Sequence, residues 1–135
     1  VIGDGLSASA VETNAVPTAL ALAERLADLS LGPIVLASQA RVALGDPIGA
    51  AMNAEVVVML IGERPGLGRA DSMSVYMGYH PQGGQSDADR DVICNVFNGG
   101  TNPLEAGAYA VQLAQKMILH QAAGVRLKLA EGGQA

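Results

Sequence analysis

Residues 56–61 read VVVMLI, and the next seven read GERPGLG. Six apolar residues without alternation suit a short strand covered on both faces, and such strands belong to sheets sandwiched between helices. The run then stops in charge. Glu63 and Arg64 adjoin a strand end where charge is expensive to bury without a partner. Pro65 stiffens the loop, and its glycines keep it bare enough for a ligand to approach the backbone.

The rest of the chain is arranged to cover that strand. Residues 1–6 read as the end of a strand and a turn. Ser9 and Glu12 have capping-box spacing. Pro17 suits the first turn of a helix running to about Ser30, with Leu22, Leu26 and Leu29 at helical spacing. Gly32 and Pro33 stop it, and 33–38 (PIVLAS) reads as a short buried strand. Asp46 and Pro47 read as N-cap and first residue of a short helix ending near Met52. Residues 74–80 and 92–97 are further strands, separated by a polar loop. Asn102 and Pro103 open the longest helix, with Leu104, Ala108, Val111, Ala114 and Ile118 on one face and Gly124 as its cap. VRLKL (125–129) alternates like an edge strand. Strands and helices therefore alternate. The expectation is one α/β domain over 1–135, with a Rossmann-like, open, mostly parallel sheet flanked by helices.

Composition narrows the function. The chain has three Tyr, one Phe and no Trp, so Val, Leu, Ile, Ala and Met must fill the core, with Met52, Met59 and Met117 as filler. The net charge of −5, without a Lys/Arg cluster, argues against a nucleic-acid partner. A single cysteine excludes an internal disulfide and fits a reducing compartment. No apolar run approaches the roughly 20 residues of a membrane span, and no stretch reads as a signal peptide. The chain opens on what reads as a strand already under way, as if cut from a longer one.

Ligands of open parallel sheets bind beyond the carboxyl ends of the strands. That rule places the loops at 3–7, 38–46 and 62–68 on one rim. The familiar catalytic signatures are missing: no G-x-G-x-x-G between strand and helix, no Walker loop, no G-x-S-x-G elbow. His80 and His120 lack partners at metal-ligand spacing. DADRD (87–91) reads as a solvated acidic turn rather than a metal site. Cys94, in an apolar segment, reads as a buried small residue rather than a nucleophile. Composition and spacing alone thus describe an α/β ligand-binding domain whose ligand they leave unnamed.

Several segments together resemble the small subunit of ethanolamine ammonia-lyase, the adenosylcobalamin-dependent bacterial enzyme. They are DGLS (4–7), ARVALGDPIG (40–49), VVVMLIGERPGLGRADSMSVY (56–76), DADRDVICN (87–95) and GGTNPLEAG (99–107). The resemblance covers nearly the whole chain, and GERPGL followed by DS is its most specific part. It extends only to the family's C-terminal cobalamin-binding domain; the family's N-terminal region has no counterpart here. The resemblance implies a hetero-oligomer with a large barrel subunit, and adenosylcobalamin held base-on between the two. The large subunit would bind ethanolamine and carry the radical chemistry that yields acetaldehyde and ammonia. The setting implied is the bacterial cytoplasm, within the ethanolamine-utilization microcompartment where one is present. No membrane is implied.

Coenzyme contacts carried over from the family fall on Val42, Glu63 and Val92, with Cys94 as a further candidate. Relatives often place a cysteine where Val92 stands, whereas here the cysteine comes two residues later, as Cys94. A backbone contact survives that change and a thiol contact does not. The relatives' aromatic-glycine pair before Arg41 is here Gln39-Ala40. A stand-alone α/β binding or scaffold protein without lyase activity is the alternative reading.

Overall fold

The computed structural model describes residues 1–4, 8–25, 29–37, 41–62, 72–82, 85–97 and 99–132. Five strands form one sheet in the order β2-β1-β3-β4-β5. They are β1 (Ile2–Gly3), β2 (Leu36–Ala37), β3 (Val56–Gly62), β4 (Met73–Tyr79) and β5 (Arg90–Val96). β1 lies parallel to both β2 and β3, while β4 runs antiparallel to both β3 and β5. The protein is α/β as expected, but the sheet is mixed rather than mostly parallel. A parallel return from β3 would need a crossover of a dozen or more residues, usually helical. Residues 63–72 are too few for that, so β4 returns beside β3 in the opposite sense. β5, antiparallel to β4, again points the same way as β1 and β3.

Among the described residues four α-helices flank the sheet: α1 (Ala8–Glu24), α2 (Gly45–Ala51), α3 (Pro103–His120) and α4 (Val125–Gly132). α1 and α3 lie side by side on one face. Ala10, Ala15 and Leu22 of α1, with Ala106, Ala110 and Met117 of α3, share a core with Leu60, Val75, Met77 and Ile93. The two helices approach closely because Gly107 has no side chain. A Cβ there would stand 2.5 Å from the Thr18 carbonyl oxygen and 2.8 Å from the Ala21 Cβ. Without tryptophan, the largest fully buried side chains are Met59, Met73, Met77 and Met117. Met52, in contrast to its expected role as filler, is 40% exposed beyond the end of α2.

Several element boundaries differ from the sequence reading. α1 begins well before Pro17, which lies inside it, and ends at Glu24. Packing of its small buried residues against α3 outweighs the proline's local penalty. α2 begins at Gly45, directly after a 3-10 turn over Val42–Leu44, so Asp46 sits in its first turn rather than at its cap. α3 buries Val111 and Ala114 as expected, together with Ala106, Ala110, Leu113 and Met117, whereas Leu104 is exposed. α3 ends in a left-handed Gln121 (φ 53°), not at Gly124. Gly124 (φ 63°) instead precedes α4, which takes the place of the expected edge strand. Of the three alternating apolar residues there, only Leu127 reaches the core; Val125 and Leu129 are exposed.

The start of α3 agrees with its sequence signal. Asn102 is the N-cap, its side-chain oxygen accepting the Leu104 N–H at 2.8 Å. Asn102→Ala should lower stability by about 1 kcal/mol, seen as a lowered urea midpoint with an unchanged slope.

Candidate functional site

The face of the sheet opposite α1 and α3 is built from rows of side chains crossing β3, β4 and β5. Pairing puts Val57 beside Gly78 and Gly78 beside Arg90. In the next row Met59 stands beside Tyr76 and Tyr76 beside Val92. In the third, Ile61 stands beside Ser74. Here the ladder shifts: Val75 pairs with Ile93 but Met73 with Val96, so Cys94 and Asn95 together oppose Ser74. This two-against-one arrangement is a β-bulge, which bends the strand and re-aims its side chains.

The first row is closed. α2 lies over it, with Gly45 against Val57 and Met59, and Gly49 against Val57 and Pro81. Arg90 Nη2 donates to Asp46 Oδ2 at 2.6 Å and to the Gln85 carbonyl at 3.4 Å. The two charged side chains are only 8% and 6% exposed. The space left around them is about 10 Å³, room for a single water at most.

Among the described residues the second and third rows are open only at β5: Met59, Ile61 and Ser74 are buried. Val42, Tyr76, Met59 and Ile61 form a small apolar cluster. Beside it Val92 is 46% exposed and Cys94 is exposed. On the reverse of the same strand Ile93 is 8% exposed and Val96 is fully buried. β5 therefore presents a bare, partly apolar face on one side while its other side carries the core. The sequence reading of Cys94 as a buried residue is corrected: strand parity puts Ile93 inward and Val92 and Cys94 outward.

The row of Met59, Tyr76 and Val92 crosses the middle of the sheet, and the row of Ile61 beside it reaches the carboxyl end of β3. β1 ends at Gly3, β2 at Ala37 and β3 at Gly62, and Gly3 pairs with both Ala37 and Ile61. The order β2-β1-β3 also reverses the chain's direction of travel across the sheet at β1, the arrangement that marks ligand crevices in open α/β sheets. Of the residues expected to bind a ligand, Val42 and Val92 stand on this one face, with Tyr76 in the row of Val92. Glu63 directly follows Gly62 and lies outside the described residues, as do 5–7, 38–40 and the rest of the loop to residue 71. Tyr76 was not singled out by the sequence reading, although Val75, Tyr76, Met77 and Gly78 alternate in the way that separates two sheet faces. Asp46 and Arg90 likewise carry only local signals in the sequence, those of a cap and of an acidic turn.

Two carboxylates of that turn, those of Asp89 and Asp91, brace the backbone. Asp89 accepts the Ser86 N–H at 2.9 Å, and Asp91 accepts the Gly124 N–H at 2.7 Å. Among the described residues no three His, Cys, Asp or Glu side chains converge on a possible metal position. A larger cleft, about 520 Å³, opens at the opposite end of β3 between Val35, Met52, Val56 and Ile118. Neither Val42, Val92 nor Cys94 lines it. None of the described helices is long and apolar enough to cross a membrane.

Fold and face together define a class: an α/β domain whose mixed sheet is covered by helices on one side and left partly bare on the other, along β5. The family model of the ethanolamine ammonia-lyase light chain (EutC) matches residues 1–128, and the chain belongs to that family. It is 44% identical over 130 residues to the ethanolamine ammonia-lyase small subunit of Lachnoclostridium phytofermentans, covering 95% of this chain and 44% of that protein. The small subunit of Bradyrhizobium diazoefficiens is 44% identical over 131 residues, covering 95% of this chain and 50% of that protein. That of Clostridium perfringens is 41% identical over 130 residues, at 95% and 44% coverage. The chain thus spans about half the length of these relatives, or somewhat less.

Proposed function

We propose that this chain is the coenzyme-facing domain of the small subunit of an ethanolamine ammonia-lyase. In this reading adenosylcobalamin lies against the ledge of Val42, Tyr76 and Val92, and a large subunit closes over it. The reaction is the conversion of ethanolamine to acetaldehyde and ammonia, in the bacterial cytoplasm or in an ethanolamine-utilization microcompartment. The single observation that carries the reading is the bare face of β5, where Val92 and Cys94 are exposed beside an apolar cluster.

The residues present fit such a ligand. A corrin is broad and flat, with an apolar body and an amide-bearing rim, and the ledge is a sheet surface rather than a narrow pocket. Val42 and Val92 would exclude water from the corrin, and Tyr76 would support it between them. Glu63 would accept a rim amide N–H in a charge-assisted hydrogen bond, stronger than a neutral one. When bound, the coenzyme supplies the radical chemistry of the reaction. This chain's part is to bind and orient it, while the large subunit handles the substrate.

The test is co-expression with the large subunit of a relative, followed by purification in the presence of adenosylcobalamin. A complex with the visible spectrum of a cobalamin is expected. A colourless chain that does not assemble would overturn the reading in favour of a stand-alone binding or scaffold protein. Within the complex, Glu63→Gln should weaken coenzyme affinity about ten-fold. That is the 1–2 kcal/mol, roughly, between a charge-assisted and a neutral hydrogen bond. Unchanged affinity with a lowered melting temperature would make Glu63 a structural residue.

A further inference from the structure

The buried pair of Asp46 and Arg90 joins segments 44 residues apart in the chain. Each lies beside one wall of the ledge. Asp46 is in the first turn of α2, directly after the 3-10 turn that carries Val42. Arg90 begins β5, two residues before Val92 on the same face. Val57, Gly78 and Arg90 are neighbours in one row, and all three border the same crevice as Asp46. Gly78 leaves that row low enough for the arginine to reach across it to α2.

A seven-residue helix has no stability of its own, so tertiary contacts must decide where α2 and the Val42 turn sit. Gly45 and Gly49 allow α2 to approach β3 closely, but these are contacts of van der Waals type, without direction. The Asp46–Arg90 bond is directional and charge-assisted, and among the described residues it is the ion pair that ties α2 to β5. It acts where the sheet is wide, across β3 and β4, and so sets the distance between the two walls.

We propose that Asp46 and Arg90 are positioning residues: their ion pair holds the Val42 turn against β5, so that Val42 and Val92 present one continuous surface to the ligand. The proposal rests on the ledge being the coenzyme surface. Neither residue is required to touch the ligand.

The experiment uses the complex with the large subunit and has two readouts. The first needs no ligand: hydrogen exchange of segment 41–51. Arg90→Lys, which keeps the charge but loses the planar fork, should speed exchange there at least ten-fold and leave α1 and α3 unchanged. Equal exchange in variant and wild type would overturn the brace. The second is coenzyme titration. Arg90→Lys should weaken adenosylcobalamin binding about ten-fold, with kcat at saturating coenzyme within two-fold of wild type. Adding Asp46→Glu, which lengthens the acceptor side, should restore affinity to within about three-fold and slow exchange of 41–51 again. Faster exchange with unchanged affinity would overturn the positioning role while leaving the coenzyme surface standing. If Arg90→Lys does not fold, Asp46→Glu alone provides the same two readouts. The ledge itself is judged separately, by a substitution on its surface.

Discussion

Val92→Arg is expected to lower the affinity of the assembled complex for adenosylcobalamin about 100-fold, which corresponds to about 3 kcal/mol. The melting temperature of the coenzyme-free protein should stay within about 1 °C. The two halves of this prediction have separate causes. Val92 is 46% exposed on the bare face of β5, so a longer polar side chain there displaces no core residue. Its neighbours inward of the sheet, Ile93 and Val96, are untouched by the change. A guanidinium beneath a bound corrin must either be desolvated, at a cost of several kcal/mol without a partner, or push the ligand off the ledge. Titration followed by visible absorbance, at matched assembly with the large subunit, measures the first half. A thermal melt measures the second. Unchanged affinity would mean that the coenzyme does not lie on this face, and the proposed location of the site would fall.

Gly107→Val should destabilise the fold by about 3 kcal/mol, at the upper end of the usual cost of overpacking. For a chain of this size that is a fall of about 10 °C in melting temperature. The added Cβ would stand 2.5 Å from the Thr18 carbonyl oxygen and 2.9 Å from the Leu22 backbone nitrogen. Backbone atoms cannot rotate aside, so α1 and α3 would have to separate along the seam that covers the sheet. Gly132→Val is the control: nothing lies within 4 Å of its Cβ position, and it should shift the melting temperature by no more than about 2 °C. Equal melting temperatures for wild type and Gly107→Val would show that the helices are packed less closely than described.

The position of β3 was legible because its signal is local. An unbroken apolar run ending at a glycine can be buried in few ways, and residues 56–62 are its strand. The start of α3 was legible for the same reason, since Asn102 and Pro103 satisfy the helix end with groups next to it. The candidate site was legible only in part. Val42 and Val92 were placed by resemblance, and the structure brings them to one face. Tyr76 joins them because its register beside Met59 and Val92 is set by β3 and β5, not by its own neighbours in sequence.

The misreadings share a cause. VRLKL alternates like a strand, yet it forms α4, because only Leu127 finds core to bury and Asp91 binds the Gly124 N–H from a distant part of the chain. Cys94 lies among apolar residues, yet it is exposed, because inward and outward faces alternate residue by residue and only pairing decides which phase faces the core. Asp46 and Arg90 each looked like a local feature, a cap and a turn charge, until the sheet set them 2.6 Å apart. Residue type and short-range spacing by themselves determined that β3 is buried, where α3 starts, and that the fold is α/β; the strand expected to be buried at 33–38 is reduced to Leu36–Ala37, with Leu36 77% exposed. The open face of β5 and the ion pair beside it were decided only by the tertiary structure. Each depends on strand pairing across the sheet, where a single step in register exchanges the buried face for the exposed one.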